Sequence, residues 1–153
     1  MMLKRIVLFL ILNFSALAIG GLFTNEGVSS NWYQTINKAP WTPPGWVFGA
    51  AWTFIMICFA IYMSYLIASH VNRKIVILLF TIQLILNIAW NPIFFYFQSV
   101  DLGMFCITLL TLLVGYLFFN YWKVLNIKTL LLAPYFIWLI IASSLNLYIL
   151  IYN

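Results

Sequence analysis

Nine charged residues stand in a chain of 153, and they are placed so that five long stretches carry none. These stretches are 6–25, 39–72, 75–100, 102–122 and 129–153. Each approaches or exceeds about 20 residues, the length that crosses a bilayer's hydrocarbon at roughly 1.5 Å per residue. A soluble domain carries about a quarter charged residues, because water must meet a polar surface. Here 66% of the residues are hydrophobic, which excludes a soluble enzyme and also a disordered chain. The apolar runs are continuous rather than alternating, which excludes a membrane β-barrel. The fold class expected is an all-α integral membrane protein, a bundle of five transmembrane helices. A single domain over 1–153 is expected, with spans near 6–23, 46–69, 75–97, 102–122 and 130–152.

The remaining charges orient the bundle. Lys4, Arg5, Arg73, Lys74, Lys123 and Lys128 fall on the side of the N-terminus and of the loops 70–74 and 123–129. The other side has Lys38 alone, together with Glu26 and Asp101. Basic residues stay on the cytoplasmic side, so the N-terminus is expected inside and the C-terminus outside. A rival reading takes Lys4-Arg5, the following apolar run and Ala16-Leu17-Ala18 as a signal peptide. The run continues through Phe23, beyond a usual signal core, and the segment is read as a retained helix. No evident organellar extension precedes it, and a bacterial cytoplasmic membrane is expected. The net charge of +5 is dispersed with no basic patch, so no nucleic-acid partner is expected. Cys58 and Cys106 sit in apolar runs with no metal-ligand spacing. His70, beside Arg73 and Lys74, reads as interfacial.

Most of the loops are short, but 24–45 is long, and long loops are often functional. It holds Trp32, Tyr33 and the segment Lys38-Ala39-Pro40-Trp41-Thr42-Pro43-Pro44-Gly45-Trp46. Its prolines fix φ and stiffen the path. Some of its aromatics fit an interfacial belt. A stiff loop on one side only also suggests a lid over a pocket.

Acidic and basic side chains are absent from the middle of every span. Ion-coupled transporters normally carry such residues, and acid–base or metal chemistry requires them. What remains is amide and indole. Asn87, Trp90, Asn91 and Phe94 share one helical face by their i, i+3, i+4, i+7 spacing, and Pro92 is expected to bend that helix. Trp138, Ala142 and Asn146 recur every four residues on the fifth span, as do Phe48, Trp52 and Met56 on the second. Two readings stand: the amides bond between helices, or these faces line a pocket with a few polar groups. The small residues Gly45 and Gly49, then Ala60, Ser64 and Ala68, form a row suited to close helix approach, within the bundle or in a homodimer.

Four blocks together resemble the tryptophan-rich sensory protein / translocator protein family, also called the peripheral benzodiazepine receptor family. They are Trp32-Tyr33; Lys38 to Trp46, followed by Trp52-Thr53; Gln83-x-x-x-Asn87-x-x-Trp90-x-Pro92-x-Phe94-Phe95; and Pro134-Tyr135-x-x-Trp138-x-x-x-Ala142-x-x-x-Asn146. The resemblance implies a five-helix membrane protein, often a homodimer, with a pocket capped by the loop between its first two helices. It implies porphyrin ligands such as protoporphyrin IX, isoquinoline and benzodiazepine-type drugs and, in animal members, cholesterol. Tyr33, Pro44, Phe48, Trp52, Asn87, Cys106, Trp138 and Ala142 match the family's pocket-lining positions. Trp90, Phe94 and Asn146 join them from the shared faces. Two departures stand out. The C-terminal sterol pattern lacks its basic residue, since the chain ends Tyr148-Ile149-Leu150-Ile151-Tyr152-Asn153, and only a loose match exists at Leu117, Tyr121 and Lys123. Phe54-Ile55 stands where Leu-Tyr is usual.

The function expected is a receptor or carrier-like membrane protein that binds tetrapyrroles, protoporphyrin IX or haem, and requires no cofactor. The alternatives are an enzyme promoting light-dependent porphyrin breakdown, a passive transporter, or a regulatory membrane subunit.

Overall fold

An apolar run in hydrocarbon has no water to bond, so its backbone must satisfy itself, and a helix does so within one segment. The computed structural model, which describes residues 2–153, has five helices long and apolar enough to cross a membrane. They are α1 (Met2–Ser29), α3 (Gly45–Ala68), α4 (Arg73–Asn91), α5 (Val100–Asn120) and α7 (Ala133–Tyr152). Two short helices lie between them, α2 (Asn31–Thr35) and α6 (Trp122–Leu125), and a 3₁₀ segment (Asn126–Leu132) leads into α7. No strand occurs among the described residues.

Three segments depart from the expected limits. The loop expected from residue 24 begins six residues later, because α1 runs on through Ser29. Polar residues end the apolar run there but not the helix, which still has a partner to pack on: Gly27 lies against the Phe95 ring. Ser30 then caps α2, its hydroxyl accepting from the Tyr33 N–H at 3.2 Å. Pro92 does not simply bend the chain. The helix widens into a π-helical turn (Pro92–Tyr96), with the Phe97 N–H donating to the Pro92 carbonyl at 2.9 Å. Proline lacks a donor of its own, and a wider turn accommodates the loss. The expected loop 123–129 is itself helical, with Asn126 at a positive φ where the two short helical segments meet.

The long helices form a ring in the order α3, α1, α4, α5, α7, each packed on the next. The closing pair, α7 and α3, touches least, and α3 meets the 3₁₀ segment more than α7 itself. The ring is therefore drawn tight at the end that holds Lys4, Arg5, Arg73, Lys74, Lys123 and Lys128. The densest core sits at that end: Phe59, Tyr62, Met63, Leu66, Val76, Val114, Leu117 and Leu132 are fully buried. The Tyr62 hydroxyl donates to the Leu117 carbonyl at 2.8 Å across it. Lipid tails are as apolar as these side chains, so close packing rather than escape from water holds the helices together. Asn13, inside α1, donates to the Met56 carbonyl at 3.1 Å and ties α1 to α3. Ala16, in the Ala16-Leu17-Ala18 stretch, is buried within the same continuous helix.

The small-residue row divides: Ala60 and Ser64 are fully buried in the bundle, whereas the Gly45–Gly49 end has no close neighbour. Nothing lies within 4 Å of a Cβ placed on Gly45 or Gly49. The tight glycines are Gly20 and Gly27 on α1 and Gly103 and Gly115 on α5.

Candidate functional site

At the end opposite the basic residues the bundle is hollow. A cavity of about 870 Å³ opens there, within the range of about 300–1,000 Å³ usual for small-molecule sites. The C-terminal half of α1, the N-terminal half of α3, the C-terminal half of α4 with its π turn, and α7 make its walls, and α5 contributes Ile107 and Leu110. The connection between α1 and α3 covers it with Tyr33, Gln34, Lys38, Thr42 and Pro43.

Tyr33, Phe48, Trp52, Asn87, Trp90, Phe94, Trp138, Ala142 and Asn146 all line this one cavity. Pro44 and Cys106, expected in the lining, do not. Pro44 is the residue before α3 and lies exposed between the lining residues Pro43 and Gly45. The Cys106 thiol turns toward α4 and donates to the Leu86 carbonyl at 3.4 Å. The Phe54-Ile55 departure leaves the wall untouched, since Phe54 faces outward and Ile55 enters the core.

Aromatic rings brace one another around the cavity. Trp138 meets Phe48 edge to face at 5.4 Å, and Trp52 meets Tyr135 at 5.8 Å. Tyr135 accepts from Gln83 Nε2 at 2.7 Å, so Gln83 serves that brace rather than the lining. Trp90 stacks on Phe94 at 4.9 Å. Such pairs add about 0.5–1.5 kcal/mol beyond the area they cover, and they fix ring directions.

The two asparagines differ in use. Asn146 Oδ1 accepts from the Trp90 indole N–H at 3.3 Å, and Nδ2 donates to the Val100 carbonyl at 3.0 Å, so both of its ends are spent clamping α7 to α4 and α5. Asn87 is 8% exposed and lines the cavity, and its carboxamide makes no hydrogen bond to another side chain or carbonyl among the described residues. Its backbone carbonyl accepts from Asn91 Nδ2. The enclosed polar atoms left unpaired are Asn13 Oδ1, Gln83 Oε1 and Thr129 Oγ1; the Asn87 carboxamide instead opens on the cavity, where water or a ligand can bond it.

The wall from α1 lay outside the sequence reading. Gly20, Gly21, Thr24, Asn25, Val28 and Ser29 all belong to the lining. Thr24 donates to Asn91 Oδ1 at 2.6 Å, and a Cβ on Gly20 would meet Asn91 Nδ2 at 2.6 Å, so Gly20 lets α4 approach closely. The small and polar residues at 20, 21, 24 and 25 were the available signal.

The covering loop is tied down at α7. The Asn37 N–H donates to Asn153 Oδ1 at 2.8 Å, Asn37 Nδ2 donates to the Tyr152 carbonyl at 3.0 Å, and Asn153 Nδ2 donates to the Asn37 carbonyl at 3.2 Å. Trp41 Nε1 donates to Ser144 Oγ at 3.2 Å, and its ring meets Tyr148 edge to face. Exposed bonds of this kind contribute about 0.5–1.5 kcal/mol each. Replacing Asn153 by alanine removes two of them, and amide exchange across 31–44 is expected to quicken about tenfold or more with the long helices unchanged. An unchanged exchange rate would show that the Trp41 contacts alone hold the loop.

No group of three His, Cys, Asp or Glu side chains able to hold a metal ion occurs among the described residues. Burial raises the Tyr33 phenol above its ordinary value, so it is uncharged at neutral pH.

Comparison with known proteins identifies the family. The TspO/MBR family pattern matches residues 7–152. A tryptophan-rich protein TspO of Chlorobaculum tepidum is 34% identical over 137 residues, 88% of this chain and 86% of the relative. One from Archaeoglobus fulgidus is 32% identical, covering 88% and 87%. The human translocator protein is 31% identical, covering 84% and 78%. With the family pattern spanning nearly the whole chain and five apolar helices to match, this multi-pass membrane protein belongs to the TspO/MBR family.

Proposed function

We propose that the protein is a receptor or carrier-like membrane protein that takes a tetrapyrrole, protoporphyrin IX or haem, into the cavity beneath the α1–α3 loop. The observation that carries this reading is the Asn87 carboxamide, open to the cavity, not engaged by the bundle, and set in a wall of aromatic rings. A flat conjugated ligand stacks on Trp52 and Trp138, while ring nitrogens or polar substituents supply the bond that Asn87 lacks. The orientation follows from the same basic residues. Lys4, Arg5, Arg73, Lys74, Lys123 and Lys128 face the cytoplasm, and the loop and cavity face outward from a bacterial cytoplasmic membrane.

The test is titration of the purified protein with protoporphyrin IX, haem and a sterol side by side, followed by tryptophan fluorescence. Saturable binding of the tetrapyrroles alone is expected, and binding of the sterol alone would refute the reading. The asparagines sharpen it. Asn87→Leu should weaken porphyrin binding about tenfold, the weight of one hydrogen bond, with no loss of stability. Asn146→Leu should lower stability by about 2 kcal/mol, because it leaves the part-buried Trp90 N–H unpaired and removes the tie from α7 to the Val100 carbonyl. Thermal unfolding in detergent separates the two variants.

The indoles of Trp52 and Trp138 in the wall also favour a second reading, light-dependent breakdown of the bound porphyrin. An illuminated complex that loses its porphyrin spectrum, and a Trp→Phe variant that does not, would support it.

A further inference from the structure

The positive-inside accounting leaves one basic residue over. Lys38 is the lone cation on its side of the bundle, and it lines the cavity. No Asp, Glu, Arg or His joins it in that lining. The chain's two acids lie elsewhere: Glu26 borders a separate small cleft between α1 and the π turn, and Asp101 accepts from the Ser99 hydroxyl at 2.8 Å. Lys38 Nζ rests 4.8 Å from the centroid of the Tyr33 ring and at the limit of hydrogen bonding, 3.5 Å, from the Gln34 carbonyl. Both neighbours are uncharged, and among the described residues no carboxylate comes within 4 Å of the half-buried ammonium. The root of the side chain is nonetheless fixed. Asn37 on one side is bound to Asn153, and Ala39 on the other is buried and accepts from the Thr42 N–H at 2.9 Å.

An ammonium with no carboxylate beside it among the described residues, at the rim of an otherwise neutral and aromatic cavity, defines a ligand by complement. We propose that Lys38 recognises a carboxylate at the edge of the bound ring system, so that the cavity selects flat aromatic acids over their neutral counterparts. This rests on the tetrapyrrole reading and adds a direction to it: the ring lies inward against Trp52 and Trp138, and the acid group points to the loop. A phospholipid would also offer an anion, but its flexible chains do not match a wall of braced rings.

The test compares wild type, Lys38→Gln and Lys38→Arg against two ligand pairs. One pair is protoporphyrin IX and its dimethyl ester; the other is 1-pyrenebutyric acid and its methyl ester. Wild type should prefer each acid about ten- to a hundredfold, the weight of a hydrogen bond to a charged group. That preference should shrink with added salt, as a partly exposed ion pair does. Lys38→Gln should lose the preference while ester affinity moves far less, and Lys38→Arg should keep it. Equal affinity of wild type for acid and ester, or a preference that survives in Lys38→Gln, overturns the assignment. Selective binding of the pyrene acid without any porphyrin binding would sustain the Lys38 subsite and refute the tetrapyrrole reading; binding of neither pair overturns both.

Discussion

Replacing Trp52 and Trp138 together by alanine is expected to lower porphyrin affinity about a thousandfold. Each indole lines the cavity, and truncating a ring that anchors a ligand costs about 2 kcal/mol or more, a factor of about 30. The two stand on different helices, α3 and α7, and are braced by different partners, Tyr135 and Phe48. Their effects should therefore add approximately. The shift of the porphyrin absorption band on binding is the proper readout, because two tryptophans are lost from the fluorescence. Trp138 is mostly buried, and its removal also weakens packing; helical circular dichroism must accordingly accompany the titration. The Trp52→Phe, Trp138→Phe variant retains ring faces and should recover most of the affinity. A folded double alanine variant that binds porphyrin as tightly as wild type would overturn the placement of the ligand.

Gly27→Ala is expected to destabilise the bundle by about 3 kcal/mol, although alanine is the better helix former by about 1 kcal/mol. A methyl group at Gly27 would overlap Phe95 at its Cβ, Cγ and Cδ1. The Cβ is anchored to the backbone of the π turn, so the ring cannot simply rotate away. Overpacking of this kind costs about 1–3 kcal/mol and occasionally more. Relief would require moving the turn that carries Phe94 into the cavity, so ligand affinity should fall along with stability. Gly49→Ala is the matched control: nothing lies within 4 Å of the added carbon, and the variant should be as stable as wild type or slightly more so. Thermal unfolding in detergent measures both. Equal stability of the two variants would show that Phe95 is free to yield.

Much of the molecule was legible before folding, for local reasons. Spans follow from runs of apolar residues because hydrocarbon forbids unpaired backbone, and this needs no knowledge of what packs on what. The shared faces of Trp90 with Phe94 and of Trp138 with Asn146 follow from helical spacing alone. The boundary of α1 was not legible. Polarity at Thr24, Asn25 and Glu26 marks where the apolar run stops, whereas the helix continues because Gly27 has Phe95 to pack against. One end of the small-residue row misleads for a related reason: Ala60 and Ser64 are buried in the bundle, whereas Gly45 and Gly49 permit a close neighbour but permission places none there. Gly20 and Gly27, with no conspicuous pattern of their own, are where helix α1 is approached.

The asparagines show most clearly where sequence ends and tertiary structure begins. By sequence alone Asn87 and Asn146 are equivalent: amides on helical faces that also carry indoles, amid apolar residues. That was enough to set the chemistry available to the protein, which is stacking and neutral hydrogen bonds without internal charge. Which amide is spent on the bundle and which is left over depends on partners far along the chain. Trp90 and Val100 reach the Asn146 carboxamide, and among the described residues no group bonds that of Asn87. Lys38 follows the same logic. Charge counting marks it as the exception on its side, and only the fold of the loop, pinned at Asn153, sets it over the cavity. Composition and periodicity act over a few residues and so determine the spans and the kinds of group inside them. The cavity exists because five helices drawn tight at one end stay apart at the other, a property of their packing that no single segment encodes.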